Sequence, residues 1–293
     1  MSLNHLGQLL AQESMQPVIN HLIQLQEFII ARAQQEAGMP GAQLDQLDAS
    51  ISALTKELPP EVNIRFSRLL QKGPLAIVPV VNGVCTACGM TLPVALVHQV
   101  HAAEQIYNCP SCARLLFYRA SGARNTRKSP RRSEAPKVGI ERFSAQSLMI
   151  TELEGADRDS IIAELCQKMA DEGFVDDPVK LQEAALQREA IISTAVENGL
   201  AFPHVRSVEG GALTLALGIT PKPVKFDPAA GKASTRIVFF MVIPTAASAF
   251  YLKLLAGLSQ VFQKAENRDK LLEADTPEKL WKALIRTTRL AIQ

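Results

Sequence analysis

Two Cys-x-x-Cys pairs, Cys85-Thr86-Ala87-Cys88 and Cys109-Pro110-Ser111-Cys112, stand twenty residues apart in this chain. Two residues between cysteines let a tight turn aim both sulfurs at one point. A second such turn completes the tetrahedron that Zn²⁺ prefers, with bonds of about 2.3 Å to each sulfur. The spacing matches the Cys-x2-Cys-x15–20-Cys-x2-Cys pattern of zinc sites, and Gly89, directly after the first pair, tolerates the positive φ such a turn needs. Four thiolates fill the coordination sphere, so the expected metal is a structural Zn²⁺ with no position open to a substrate. A thioredoxin-like redox role would need a strand–helix context that is not visible here. His98 and His101 lie between the pairs, one helical turn apart; they could compete as ligands, but the simpler reading is surface residues on the segment joining the pairs. Cys166 falls in the apolar stripe of Ile161, Ile162, Leu165 and Met169 and reads as a small buried side chain.

At 293 residues the chain has room for about two domains. Its 47% hydrophobic and 20% charged composition is that of a folded protein, and a net charge of +2 gives no global nucleic-acid or membrane signal. The longest apolar strand-like run, Ile237 to Ile243, is far shorter than a bilayer span, so no membrane insertion is expected. The first residues lack a basic segment followed by an apolar one, so no signal peptide is read. Thiols paired for a metal suit a reducing compartment, and the reading is cytoplasmic.

Four segments follow from the pattern. In residues 1–75, Met15, Val18, Leu22, Leu25 and Ile29, and then Leu44, Leu47, Ile51, Leu54 and Leu58, recur at alternating spacings of three and four. That heptad rule puts each set on one seam of a helix. Gly38-Met39-Pro40-Gly41 breaks between them, so an antiparallel coiled-coil hairpin is expected, ended by Pro59-Pro60. About two heptads per helix is marginal alone, which invites a partner or a homodimer; the plainer reading is a spacer. Residues 76–120 hold the cysteines. Residues 121–140 are a flexible basic linker, where Arg124, Arg127, Lys128, Arg131 and Arg132 occur with almost nothing apolar. The linker is either simply solvated or an anchor for nucleic acid or an acidic protein. Residues 141–293 alternate helix patterns (158–173, 178–190, 248–264 and 277–291) with strand patterns (213–219 and 235–243). The apolar 235–243 run belongs in the middle of a sheet. The fold class is multi-domain: helical hairpin, small zinc ribbon, basic linker, and a mixed α/β sandwich with helices on both faces of a sheet. Trp281 and Leu284 are assigned to its core.

The heptads together with Cys-Thr-Ala-Cys-Gly-Met-Thr-Leu-Pro and Cys-Pro-Ser-Cys-Ala-Arg-Leu-Leu-Phe-Tyr resemble the bacterial coiled-coil proteins with a four-cysteine zinc ribbon. That resemblance, over residues 1–120, implies an adaptor for protein or nucleic acid, with no enzymatic activity. Ala113 stands where the family usually has glycine.

Further on, Arg188-Glu189 is followed by Ser193-Thr194 and by Asn198-Gly199-Leu200-Ala201-Phe202-Pro203-His204. This run resembles the signature of the fructose/mannitol-type enzyme IIA domains of the sugar phosphotransferase system, nitrogen-regulatory relatives included. The resemblance spans residues 142–293 and implies that His204 accepts a phosphoryl group from a histidine phosphocarrier protein, with no bound cofactor. Neutral imidazole is a competent nucleophile near pH 7. The remaining task is to stabilise three charged oxygens, for which Arg188 supplies donors and Thr194 or Ser193 a hydroxyl. Tyr251 stands where the family places a second histidine, and Ala195 and Glu197 stand where glycines are common. Tyrosine keeps a hydroxyl to bond a phosphate or to orient His204, while the Glu197 carboxylate would disfavour an approaching phosphoryl group. These departures suit slow regulatory phosphorylation better than sugar flux. The expected function is a phosphotransferase-linked regulator that signals through the coiled coil and ribbon to an unidentified protein or nucleic acid. A working component passing phosphate to a separate permease, and an unphosphorylated interaction module, are the alternatives.

Overall fold

The computed structural model describes residues 15–38, 44–119, 126, 138–208, 213–228, 234–244 and 248–292. The chain divides into two compact units, Met1–Ile30 with Leu44–Ser121, and Ala31–Gln43 with Gly122–Gln293.

The first unit contains α1 (Gln16–Gly38) as far as Ile30, α2 (Asp45–Glu57) and α3 (Pro60–Leu70). Leu22, Leu25 and Leu58 of the expected seams are buried together with Ile19, Val62 and Phe66, and Val18, Ile29, Ile51 and Leu54 pack at the margin of this cluster. A third helix was not expected after Pro59-Pro60. Pro60 occupies its first turn, where the missing N–H costs no helical bond and the fixed φ suits the start. The same prolines thus stop one helix and begin another. β1 (Ile77–Val81) pairs antiparallel with β2 (Val84–Cys85) and parallel with β3 (Leu115–Tyr118). Asn82 and Gly83, with φ of 50° and 75°, turn between β1 and β2. Gln26, buried on α1, accepts from the Ala76 and Ile77 amides at 2.7 and 2.9 Å and donates to the Ile77 carbonyl at 2.9 Å. It thereby satisfies the backbone at the entrance to β1. The helix α4 (Val94–Ala102) joins the two cysteine pairs, and it exposes His98 and His101 as the sequence suggested.

In the second unit the sheet runs β4 (Met149–Ile150), β8 (Thr214–Val224), β9 (Thr235–Pro244), β6 (Leu200–Ala201) and β5 (Ala195–Val196), with β7 (His204–Val208) also paired to β9. Every residue of β9 from Ile237 to Ile243 is buried, as its unbroken apolar run demands of a central strand. Around the sheet are α5 (Arg158–Asp171), α6 (Pro178–Glu189), α7 (Ser248–Phe262), α8 (Ala265–Leu272) and α9 (Pro277–Thr288). Asp157 caps α5 by accepting from the Ser160 amide at 2.8 Å, and Asp177 caps α6 by accepting from that of Lys180 at 3.0 Å. Cys166 and Leu284 are wholly buried, and Trp281 packs partly buried against the same core. The basic stretch 121–137 lies outside the described residues except for Thr126, which bonds to the Gly173 and Phe174 carbonyls. Among the described residues no helix is long and apolar enough to cross a membrane.

Candidate metal centre and phosphoryl-acceptor site

The four cysteine sulfurs lie within 4.8 Å of one another. Two of the separations, Cys85 to Cys112 at 3.8 Å and Cys88 to Cys109 at 3.7 Å, match the edge of a tetrahedron built on Zn–S bonds of about 2.3 Å. Each pair is closed by the same turn: the Gly89 amide donates to the Cys85 carbonyl, and the Ala113 amide to that of Cys109, both at 2.9 Å. Gly89 has φ 73° and Ala113 φ 61°. The second turn therefore forms with an alanine in a conformation that favours glycine. The donor set and its spacing fit a structural zinc ion.

The second site is built by the run ending at His204. Asn198 and Gly199, with φ of 65° and 75°, reverse the chain between β5 and β6. A Cβ on Gly199 would meet the Ser234 carbonyl oxygen at 2.7 Å, so the position requires glycine twice over. Ala201 then pairs with Val238 and His204 with Met241 on β9. Arg188 comes from the last turn of α6 and is buried against the imidazole.

The partners of His204 define its tautomer. Nδ1 lies 2.9 Å from the Phe202 carbonyl, which can only accept, so Nδ1 carries the proton. Arg188 Nε, which can only donate, lies 3.1 Å from Nε2, so Nε2 carries the lone pair. The Tyr251 hydroxyl sits 3.1 Å from Nδ1, on the protonated side. Burial first, and then the Arg188 guanidinium, hold the His204 pKa well below 6.5; the Phe202 carbonyl pulls the other way, and Arg206 adds a smaller push downward. The ring is therefore neutral at pH 7, with a nucleophilic nitrogen directed at a guanidinium.

Of the three residues singled out from the sequence, Arg188 and His204 are in direct contact. Thr194 lines the same cavity, but its hydroxyl and its amide both donate to the buried carboxylate of Glu189. Burial raises the Glu189 pKa despite these bonds and the nearby Arg188. Ser193 turns inward on its own loop, its hydroxyl accepting from the Ala195 amide at 3.2 Å. Glu197 is exposed and does not line the cavity. The role of Glu189 was not read from the sequence, although the Arg-Glu pair was visible. Gln34 carried no signal at all: its Oε1 accepts from Arg188 Nη2 at 2.9 Å, in the part of α1 that groups with this unit.

Residues 143–287 match the family described as phosphoenolpyruvate-dependent sugar phosphotransferase system, EIIA 2, and residues 84–116 match the C4-type zinc ribbon domain. The chain thus carries an enzyme IIA domain of that class together with a four-cysteine zinc ribbon. Among curated proteins it is similar to a PTS system fructose-specific EIIA component of Haloferax volcanii, 28% identical over 123 residues, covering 42% of this chain and 79% of the relative. It is also similar to a nitrogen regulatory protein of Pseudomonas aeruginosa, 26% identical over 148 residues, covering 50% of this chain and 96% of the relative. Among solved structures, the nitrogen regulatory protein IIA-Ntr of Neisseria meningitidis aligns over 49% of this chain and 97% of its own, at 23% identity and a TM-score of 0.44.

Proposed function

We propose that this protein is a cytoplasmic, phosphotransferase-linked regulator in which His204 accepts a phosphoryl group from a histidine phosphocarrier protein. The observation that carries the reading is the imidazole held as the Nδ1–H tautomer, with its Nε2 lone pair facing Arg188. In the transfer, a bond forms between Nε2 and phosphorus as the donor's N–P bond breaks, and the donor imidazole leaves with the electron pair. The Phe202 carbonyl keeps the Nδ1 proton and stabilises the positive charge that develops on the ring. Arg188 stabilises the incoming oxygens. Thr194 contributes through Glu189, fixing the loop that follows Arg188. Tyr251, lying on the Nδ1 side, supports the orienting role and not that of a phosphate ligand.

The chain's other half supplies the adaptor. The helices, read as an antiparallel coiled-coil hairpin able to pair with a partner or a second copy, and the zinc ribbon would pass the phosphorylation state to a protein or nucleic acid. One phosphoryl group adds about 1.5 to 2 negative charges, enough to bias such an equilibrium. The test is intact-mass spectrometry near neutral pH after incubation with phosphoenolpyruvate, enzyme I and the phosphocarrier. An acid-labile gain of one phosphoryl group on the wild type and none on His204→Ala supports the reading. No gain with active donors returns the protein to the class of unphosphorylated adaptors.

A further inference from the structure

The space beside His204 is too small for the group it would receive. The cavity lined by Gln34, Gln35, Arg188, Thr194 and Tyr251 leaves about 20 Å³ free, room for one water and not for a phosphoryl group. His204 itself is 1% exposed. What fills the place is Gln34. Its Oε1 accepts a hydrogen bond from Arg188 Nη2 at 2.9 Å, the donor a phosphoryl oxygen on Nε2 would use, while Nη1 donates to the Ile192 carbonyl at 2.9 Å. Gln34 is 3% exposed, and its carboxamide Nε2 is buried without a hydrogen-bond partner. A buried amide that leaves its donors unused is an uneasy occupant. Beside it, Gln35 Nε2 donates to the Ser193 carbonyl at 2.8 Å, holding the same turn of α1 in place.

We infer that Gln34 is an internal stand-in for the phosphoryl group, and that transfer to His204 must evict it from Arg188. The inference rests on His204 being the acceptor. A neutral carbonyl oxygen is a weaker partner for a guanidinium than a charged phosphoryl oxygen, so the phosphorylated ring outcompetes Gln34 and keeps it out. The 31–38 segment of α1 is then held in the unmodified protein and released in the modified one. The phosphorylation state is thereby converted into the freedom of a helix end that lies outside the matched enzyme IIA region.

Two measurements on the full-length, zinc-loaded chain test this. Diethylpyrocarbonate acylates neutral, accessible imidazole and needs no phosphoryl donor. His204 should react about tenfold faster in Gln34→Ala than in the wild type, the loss of one charge-assisted bond. Gln34→Glu, whose carboxylate pairs with Arg188, should react more slowly than the wild type. Equal rates in all three folded proteins overturn the inference. Hydrogen exchange of the 31–38 amides should rise when His204 is fully phosphorylated, and unchanged protection on a phosphorylated sample also overturns it. Faster acylation of Gln34→Ala with no phosphoryl uptake by either protein would show that Gln34 shields the imidazole, while refuting the acceptor function and with it the eviction by a phosphoryl group.

Discussion

Replacing Ala113 by glycine should tighten zinc binding. Ala113 sits at φ 61° in the turn that closes the second cysteine pair, and its amide is committed to the Cys109 carbonyl at 2.9 Å. A left-handed conformation costs an L residue about 1–2 kcal/mol. Glycine removes that cost but loses about 0.5–1 kcal/mol more in backbone entropy on ordering. The net gain is about 0.5–1 kcal/mol, and since metal binding and folding of such a site are linked, zinc affinity should rise about two- to fivefold at about 1.4 kcal/mol per tenfold. Gly89 provides the mirror experiment. It holds φ 73°, and a Cβ there would meet nothing within 4 Å, so Gly89→Ala should lose a similar amount through the backbone alone. Competition against a chromogenic chelator at fixed pH measures both. If Ala113→Gly binds zinc no tighter, or Gly89→Ala no weaker, backbone strain is not what distinguishes the two turns.

Arg188→Gln should abolish measurable phosphoryl uptake by His204, scored by mass under conditions that saturate the wild type, because the guanidinium is the only cation in contact with Nε2 among the described residues. His204 is neutral in the fold with its pKa held below 6.5, whereas the unfolded chain binds a proton near 6.5. Its contribution is therefore whole above pH 6.5 and is lost as pH falls towards the folded pKa, with a slope of up to about 1.4 kcal/mol per pH unit. Denaturant midpoints of His204→Gln should lack that slope. Because Glu189, raised by burial, acts with the opposite sign above its ordinary 4.5, the variant is compared with the wild type at each pH. Gly199→Ala should destabilise the second unit by about 1–3 kcal/mol, read by thermal melting, from its φ of 75° and the Ser234 oxygen in its path. Chelation of zinc should disorder the β1–β3 sheet, seen as lost amide protection there, while leaving the transition of the second unit unchanged.

The parts of this protein legible in its sequence are those whose signal is periodic or chemically specific. Residues 158–173 and 178–190, read as helices, correspond to α5 and α6 because each has a capping aspartate and a clear apolar stripe. The 235–243 strand corresponds to β9 because seven consecutive apolar residues, Ile237 to Ile243, suit a sheet interior. The strand read at 213–219 continues to Val224 through Thr220-Pro221-Lys222-Pro223, a polar and proline-bearing extension that no strand pattern announces. β4, β5 and β6 are two residues each, too short to carry a period of two. α8 follows α7 with two residues between them, and it lies between the helices read at 248–264 and 277–291, where no pattern was read. At the site, the motif gave Arg188 and His204 directly. It did not give Glu189 as the partner of Thr194, since a buried carboxylate is visible only once its surroundings are assembled. Gln34 lies 170 residues before His204, beyond the last heptad position at Ile29, and looks like any polar helix residue.

Strand β9 also limits how this site can change over time. It pairs along one edge with β8 and along the other with β6 and β7 in succession, Val238 facing Ala201 and Met241 facing His204. Both intervals are three residues long. Phe202 and Pro203 can therefore be exchanged for other residues far more easily than one can be added or removed. An insertion between them would slide the histidine along its neighbour and turn the imidazole to the opposite face of the sheet, away from Arg188. Divergent copies of this segment should accumulate substitutions while conserving its length.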